Sequence, residues 1–245
     1  MLVYVCDGSF EGILTAVYEA YYSRYKPGRI ASRAGLQTNL LDEYIFIETS
    51  EDKSSRVYDS IIRKISRQAL EHVYHVYLSN AEEPGTIIYD YLKLGFKLGS
   101  RVDLHLADDR VLKTHNISRR VGHEAHIMTG FLRFKRLNGD IYYASIGPDN
   151  NIIELLALHF AERMADRDWI IHDVGRNTAV IYNRKEWVVT DNMPDVLPGV
   201  SEDELNYQEL WKEFFNSIGI SGRFNPKLQK RLMPVRYWKY ITEKW

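Results

Sequence analysis

Apolar residues recur along this chain with two different periods. "LVYVC", residues 2–6, is a continuous apolar run of strand length, and the "DGS" after it is a turn whose Asp7 or Ser9 can cap a helix. Phe10, Ile13, Leu14, Val17, Tyr21 and Tyr25 then fall near helical spacing. Residues 26–43, opened by Pro27-Gly28, read as a loop, and "YIFIET" reads as a second strand. A long helical region is predicted over residues 54–79 and a further helix over 84–98. The first part of the chain therefore reads as α/β.

The middle changes period. After a basic, histidine-bearing helical stretch, "FLRFKRL-NG-DIYYASI" carries Asn-Gly between two runs, a hairpin signal that favours a type I′ turn. "NIIELLALHFAERM" is apolar nearly all round and predicts a buried helix. "WIIHD", "AVIYN" and "WVVTD" follow as three short strands. The order β-β-α-β-β-β predicts an antiparallel sheet with a helix packed on one face.

Toward the end, Leu210, Trp211, Phe214, Phe215 and Ile218 form a helical stripe stopped by Gly219. Asn225-Pro226 and Pro234 are two helix starts. In the last of these helices Val235, Trp238, Ile241 and Trp245 share one face, and Arg236, Lys239 and Glu243 lie on another. The fold class is therefore α+β, divided as 1–110 (α/β and helical), 111–193 (the sheet with its helix) and 194–245 (a helical C-terminal cap), the three expected to form one compact unit.

Charge alters this picture more than composition does. A net charge of −1 hides three uneven segments. From Gly222 onward seven cations face one anion, Glu243; residues 110–136 carry seven cations against Glu124 alone; residues 186–213 hold eight acids and only Lys212. Such basic stretches either track an anionic polymer or neutralise an acidic surface of the protein itself. Arg119, Arg120, Arg133, Lys135, Arg223, Lys227, Lys230, Arg231, Arg236 and Lys239 are the candidate phosphate contacts, with the 17 tyrosines and 5 tryptophans as candidate stacking surfaces.

One cysteine, Cys6, can form neither an internal disulfide nor a cluster site by itself. No apolar run reaches membrane-span length and no leader pattern opens the chain, so a cytosolic, soluble protein without membrane contact is expected. "HEAH" (His123, Glu124, His126) has its histidines three apart, where the zincin motif needs four, so no metal is assigned and His123 and His126 are only weak ligand candidates. A helix end where histidines cap carbonyls or contact phosphate is the ordinary reading of them. No other cofactor is expected. Asp7 and Glu11 sit where the first strand meets the first helix, an edge that commonly binds ligands, although turn and helix-dipole roles suit the same residue types. His172 and Asp173 end a strand on opposite faces, so they are not a dyad by adjacency. Asp7, Glu11, His123, Glu124, His172 and Asp173 are the catalytic candidates.

Five stretches together, "YVCDGSFEGILTAVYEAY", "GHEAHIMTGFLRF", "IYYASIGPDNNIIELLALHFAERM", "DWIIHDVGRNTAVIY" and "NPKLQKRLMPVRYWKYITE", resemble a bacterial family of DNA metabolism or DNA repair proteins without established catalytic residues. Its members are encoded beside a radical SAM protein, and some are fused to a uracil-DNA-glycosylase-like domain. The resemblance implies a DNA-binding protein that acts with a radical SAM partner in repair or modification. With Cys6 alone, the iron–sulfur chemistry would have to reside in the partner. Two other readings stand beside it: a hydrolase or glycosylase-type enzyme on nucleic acid, and an assembly module that touches no DNA.

Overall fold

The computed structural model describes residues 1–194, 198–218, 220, 222 and 225–244. The chain divides into two compact units, Met1–His123 and Glu124–Trp245. Both mix helix and strand, so the fold class is α+β.

The first unit is built on a three-stranded parallel sheet in the order β2-β1-β3, with β1 at Leu2–Cys6, β2 at Arg29–Ser32 and β3 at Glu43–Phe46. Val3, Tyr4, Val5 and Cys6 are all buried, as expected for a central parallel strand covered on both faces. The strand β2 lies inside the stretch that reads as a loop. Its four residues, "RIAS", are too short and polar to show a period, and its order comes from neighbours. Ile30 N–H donates to Thr86 Oγ1 at 3.1 Å, and a Cβ on Gly85 would meet the Ile30 carbonyl at 2.7 Å, so only glycine lets the two backbones approach this closely.

Helix α1 (Phe10–Tyr22) starts at Ser9, whose hydroxyl accepts from Gly12 N–H, and it packs on α2 (Glu51–Lys64). The helical region expected over 54–79 is two helices. Ser66 ends the first by capping α3 (Arg67–Leu78) through the Ala69 N–H at 2.9 Å. Ile65, at the break, is buried against Gly95 of α4 (Pro84–Leu98). A 3-10 segment, Gly99–Leu104, leads to α5 (Asp109–Phe131), within which the unit boundary falls.

The second unit holds a five-stranded sheet in the order β4-β5-β6-β7-β8: Lys135–Leu137, Ile141–Ile146, Asp168–Asp173, Thr178–Asn183 and Trp187–Thr190. The expected wholly antiparallel sheet is instead mixed. The strands β5 and β6 pair parallel, because α6 (Ile153–Arg163) carries the chain back to the same end of the sheet. The hairpin between β4 and β5 is present, with Leu137 opposite Ile141. Its loop has three residues, and the positive φ values fall on Gly139 (93°) and Asp140 (62°), one residue later than a two-residue Asn-Gly turn requires.

Helix α6 turns Ile153, Leu156, Ala157 and Phe160 inward and leaves Leu158 exposed, so it is amphipathic where an all-round buried helix was expected. Trp169 is fully buried and stacks on Tyr182 at 5.0 Å, with Phe160 and Phe134 at its edges. Helix α7 (Glu202–Ser217) buries none of its residues. The tail forms α8 (Pro226–Leu232) and two 3-10 segments, Val235–Tyr240 and Thr242–Lys244. In a 3-10 helix the buried face differs from the α-helical one. Tyr237, Ile241 and Thr242 are buried, whereas Val235 is 54% exposed. Gly219, Arg223 and Trp245 lie outside the described residues.

Candidate functional site

The turn "DGSFEG" closes on itself. Asp7 Oδ1 accepts from the backbone N–H and the hydroxyl of Ser9 at 2.9 and 2.7 Å, and Oδ2 accepts from Thr49 Oγ1 at 2.8 Å. Burial raises the Asp7 pKa, but these bonds outweigh it and hold the carboxyl below its ordinary value. A Cβ on Gly12 would collide with Asp7 Oδ1, so the carboxylate rests directly on the first turn of α1. Glu11 is exposed in the first turn of α1. The arrangement is a helix-capping turn.

In "HEAH" the three polar residues separate. His123 and His126 are exposed, while Glu124 is buried with 6% exposure. Glu124 Oε1 accepts from Asp149 N–H (2.8 Å) and Tyr237 Oη (2.6 Å), and Oε2 accepts from Asn150 N–H (2.9 Å) and Nδ2 (2.7 Å). Burial raises its pKa, and the bonds from Tyr237, Asp149 and Asn150 more than reverse that. A carboxylate with both oxygens filled in this way has no free lone pair for proton abstraction. Glu124 is a clamp on the 147–151 loop.

A second clamp grips the same loop. Asp173 is fully buried and accepts from Gly175 N–H, Arg176 N–H and Arg176 Nη1. Arg176 donates onward to the carbonyls of Pro148 (3.1 Å) and Asp149 (2.5 Å). His172 faces the other side of β6, as alternation predicts, and its Nδ1 meets Tyr143 Oη at 2.9 Å while its Nε2 is buried without a partner among the described residues. Glu124 and Asp173 thus share a loop; His172 does not join them.

The candidate phosphate contacts fall into two groups. Arg133 lies outside the hairpin strand, and its guanidinium forks onto Glu243 at 3.1 and 2.6 Å. Trp211 Nε1 donates to the same carboxylate at 3.0 Å, and the Glu243 side chain is 4% exposed, inward where an outward position was expected. Arg236 donates to Asp149 Oδ2 at 2.7 Å and to Tyr237 Oη at 2.8 Å. These two arginines serve the fold. Lys227, Lys230 and Arg231 on α8, and Lys239 after it, are exposed and form no ion pair among the described residues. Arg119 and Arg120, exposed on α5, line an open cavity of about 940 Å³ that also takes Lys113, Leu112 and Glu83 into its wall.

One cluster was absent from the sequence reading. His72 (α3), Asp103 (the 3-10 segment) and His115 (α5) each present a donor atom, all within 4.8 Å of one another. His115 Nε2 meets Asp103 Oδ1 at 2.8 Å, and Tyr91 Oη donates to the same oxygen at 2.7 Å. The imidazoles of His72 and His115 lie 4.3 Å apart. Ser118 Oγ bridges His72 Nδ1 (2.9 Å) and His75 Nδ1 (3.0 Å). Burial, then the neighbouring His115, pushes the His72 pKa below its ordinary value.

Residues 82–243, well over half of the chain, match a family model described as a domain of unknown function, DUF4130. The chain belongs to the DUF4130 family. No curated protein and no solved structure matches it. The DUF4130 match takes in Asp103, His115, the Glu124 and Asp173 clamps, and the described cations of α8; His72 and the Asp7 turn precede it. Among the described residues of this DUF4130 member, no helix is long and apolar enough to cross a membrane.

Proposed function

We propose that the protein binds DNA and acts with a radical SAM partner in DNA repair or modification. The observation that supports this reading best is α8, where Lys227, Lys230 and Arg231 stand exposed on seven residues that include no acid. A cation with no internal partner, beside others of the same kind, is the footprint of phosphate contact, and such contacts dominate affinity for DNA. Arg119 and Arg120 would supplement them on the first unit. The radical SAM partner follows from the resemblance of the sequence motifs.

The test is fluorescence anisotropy with single- and double-stranded DNA at 50 and 200 mM salt, alongside a variant with Lys227, Lys230, Arg231 and Lys239 changed to Glu. If these four meet phosphates, affinity falls roughly a hundredfold across that salt range. The variant flattens the slope. Absence of binding at either salt concentration overturns the reading.

A second reading, protein assembly, is favoured by α7. Tyr207, Leu210, Trp211, Phe214 and Ile218 repeat at helical spacing and are 42–66% exposed. Such a stripe suits a docking surface for the radical SAM partner. Leu210→Lys with Phe214→Lys would abolish co-purification of the two proteins while leaving DNA affinity intact.

A further inference from the structure

The geometry points to a divalent transition-metal site formed by His72, Asp103 and His115, a property beyond the DNA reading and independent of it. Three different elements of the first unit bring two imidazoles and one carboxylate within 4.8 Å of one another. A tetrahedral ion with bonds near 2.0–2.1 Å sets its ligand atoms about 3.3 Å apart, so a slight opening of the 2.8 Å His115–Asp103 pair and a modest inward movement of His72 give the three protein ligands their spacing. Two nitrogens and one oxygen suit zinc, cobalt or ferrous iron, whereas magnesium and calcium prefer oxygen alone.

The alternative is a hydrogen-bonded cluster that merely packs three elements together. His72 argues against it. Its Nδ1 is fixed by Ser118, yet its Nε2 is buried with no hydrogen-bond partner among the described residues. In a cluster evolved only for packing, that nitrogen would carry an unmet hydrogen-bonding need. In a metal site it is the free lone pair.

Ser118 and Tyr91 supply the outer ring that such sites use. A ligating histidine donates its second ring N–H to an oxygen, which fixes the tautomer and the ring plane. With Ser118 Oγ accepting from His72 Nδ1–H, its own proton is available to His75 Nδ1. Tyr91 Oη donates to Asp103 and fixes that carboxylate. An ion bound between Asp103 and His115 takes the place of the hydrogen bond between them: the His115 proton moves from Nε2 to Nδ1 of the same ring, and the neutral imidazole presents its Nε2 lone pair. Three protein ligands leave a tetrahedral ion one position for water. The side chains of His115 and Asp103 are 23% and 14% exposed, so solvent reaches this edge of the cluster.

The experiment titrates chelator-stripped full-length protein with Co²⁺, followed by visible absorption, and with Zn²⁺ by calorimetry, with Mg²⁺ as control. One Co²⁺ or Zn²⁺ per chain is expected, and Mg²⁺ gives no heat. His72→Asn and Asp103→Asn lower affinity more than a hundredfold, Ser118→Ala lowers it 10- to 100-fold, and His123→Asn leaves it unchanged. Absence of saturable binding overturns the site, as does binding that survives both ligand changes or is lost in His123→Asn. Should a ligand variant unfold, X-ray absorption of the zinc-loaded wild-type protein decides: two imidazoles support the site, and fewer than two overturn it.

Discussion

The phenol of Tyr237 donates to Glu124 across 113 residues of sequence, at 2.6 Å and out of contact with water. This bond ties the basic tail to the carboxylate that also grips the 147–151 loop. The tail's own charge excess is therefore partly internal, because Arg236 belongs to the same knot; in the other basic segment, Arg133 is committed to Glu243.

Removing one donor from that knot has a predictable cost. Tyr237→Phe leaves Glu124 Oε1 short of a partner in a buried setting, which should destabilise the protein by about 1–3 kcal/mol. Glu124→Ala strands Asp149 N–H, Asn150 N–H and the phenol together and should cost more. Urea unfolding monitored by tryptophan fluorescence measures both.

The two arginines that serve the fold should behave unlike the cations of α8. Arg133→Met leaves Glu243 buried with only Trp211, a loss of about 3 kcal/mol by analogy with broken buried pairs. Lys227→Met or Lys230→Met, at exposed positions, should change stability by no more than about 0.5 kcal/mol. Thermal melts of the three variants separate structural cations from available ones.

Stability should fall in acid. The carboxyls of Glu124 and Glu243 are held below the ordinary value of 4.5 in the folded protein. For each, burial raises the pKa and hydrogen bonds lower it further. Groups depressed on folding stabilise fully above their unfolded pKa and lose that contribution as pH drops through the folded one. The stability these two carboxyls supply should thus be full from pH 7 to about 5 and decline below about 4.5, while His72 and His75, both lowered on folding, begin a separate decline as pH drops through their ordinary value of 6.5. Glu124→Gln should have a lower melting temperature at pH 7 and a shallower decline.

Gly147 is a point of close approach. A Cβ there would collide with the hydroxyl and ring of Tyr240. Gly147→Ala should cost about 1–3 kcal/mol by overpacking. The double variant with Tyr240→Phe should recover part of it, measurable by denaturant midpoint.

Periodic segments were legible in the sequence: β1, α1 with its Ser9 cap, α4, and the strands β5 to β7 all announce themselves through spacing. The parallel pairing of β5 with β6 was not, since nothing within a strand records the direction of its neighbour. The "HEAH" spelling drew attention to His123 and His126, which face solvent, because a motif reports proximity along one helix and not orientation. His72 and His75, three apart on α3, offered a similar local signal. Their partners Asp103, His115 and Ser118 are 28 or more residues away, a separation that only the packing of α3 against α5 and the 3-10 segment resolves.

The long span of the Glu124–Tyr237 bond has a kinetic consequence. Closing a loop of that size costs more entropy than closing the local hairpin and helices, so this contact is expected to form after they have condensed. Interactions made that late are mostly missing from the folding transition state. Loosening the knot should therefore speed unfolding far more than it slows folding, and the lifetime of the second unit is set by its last few turns.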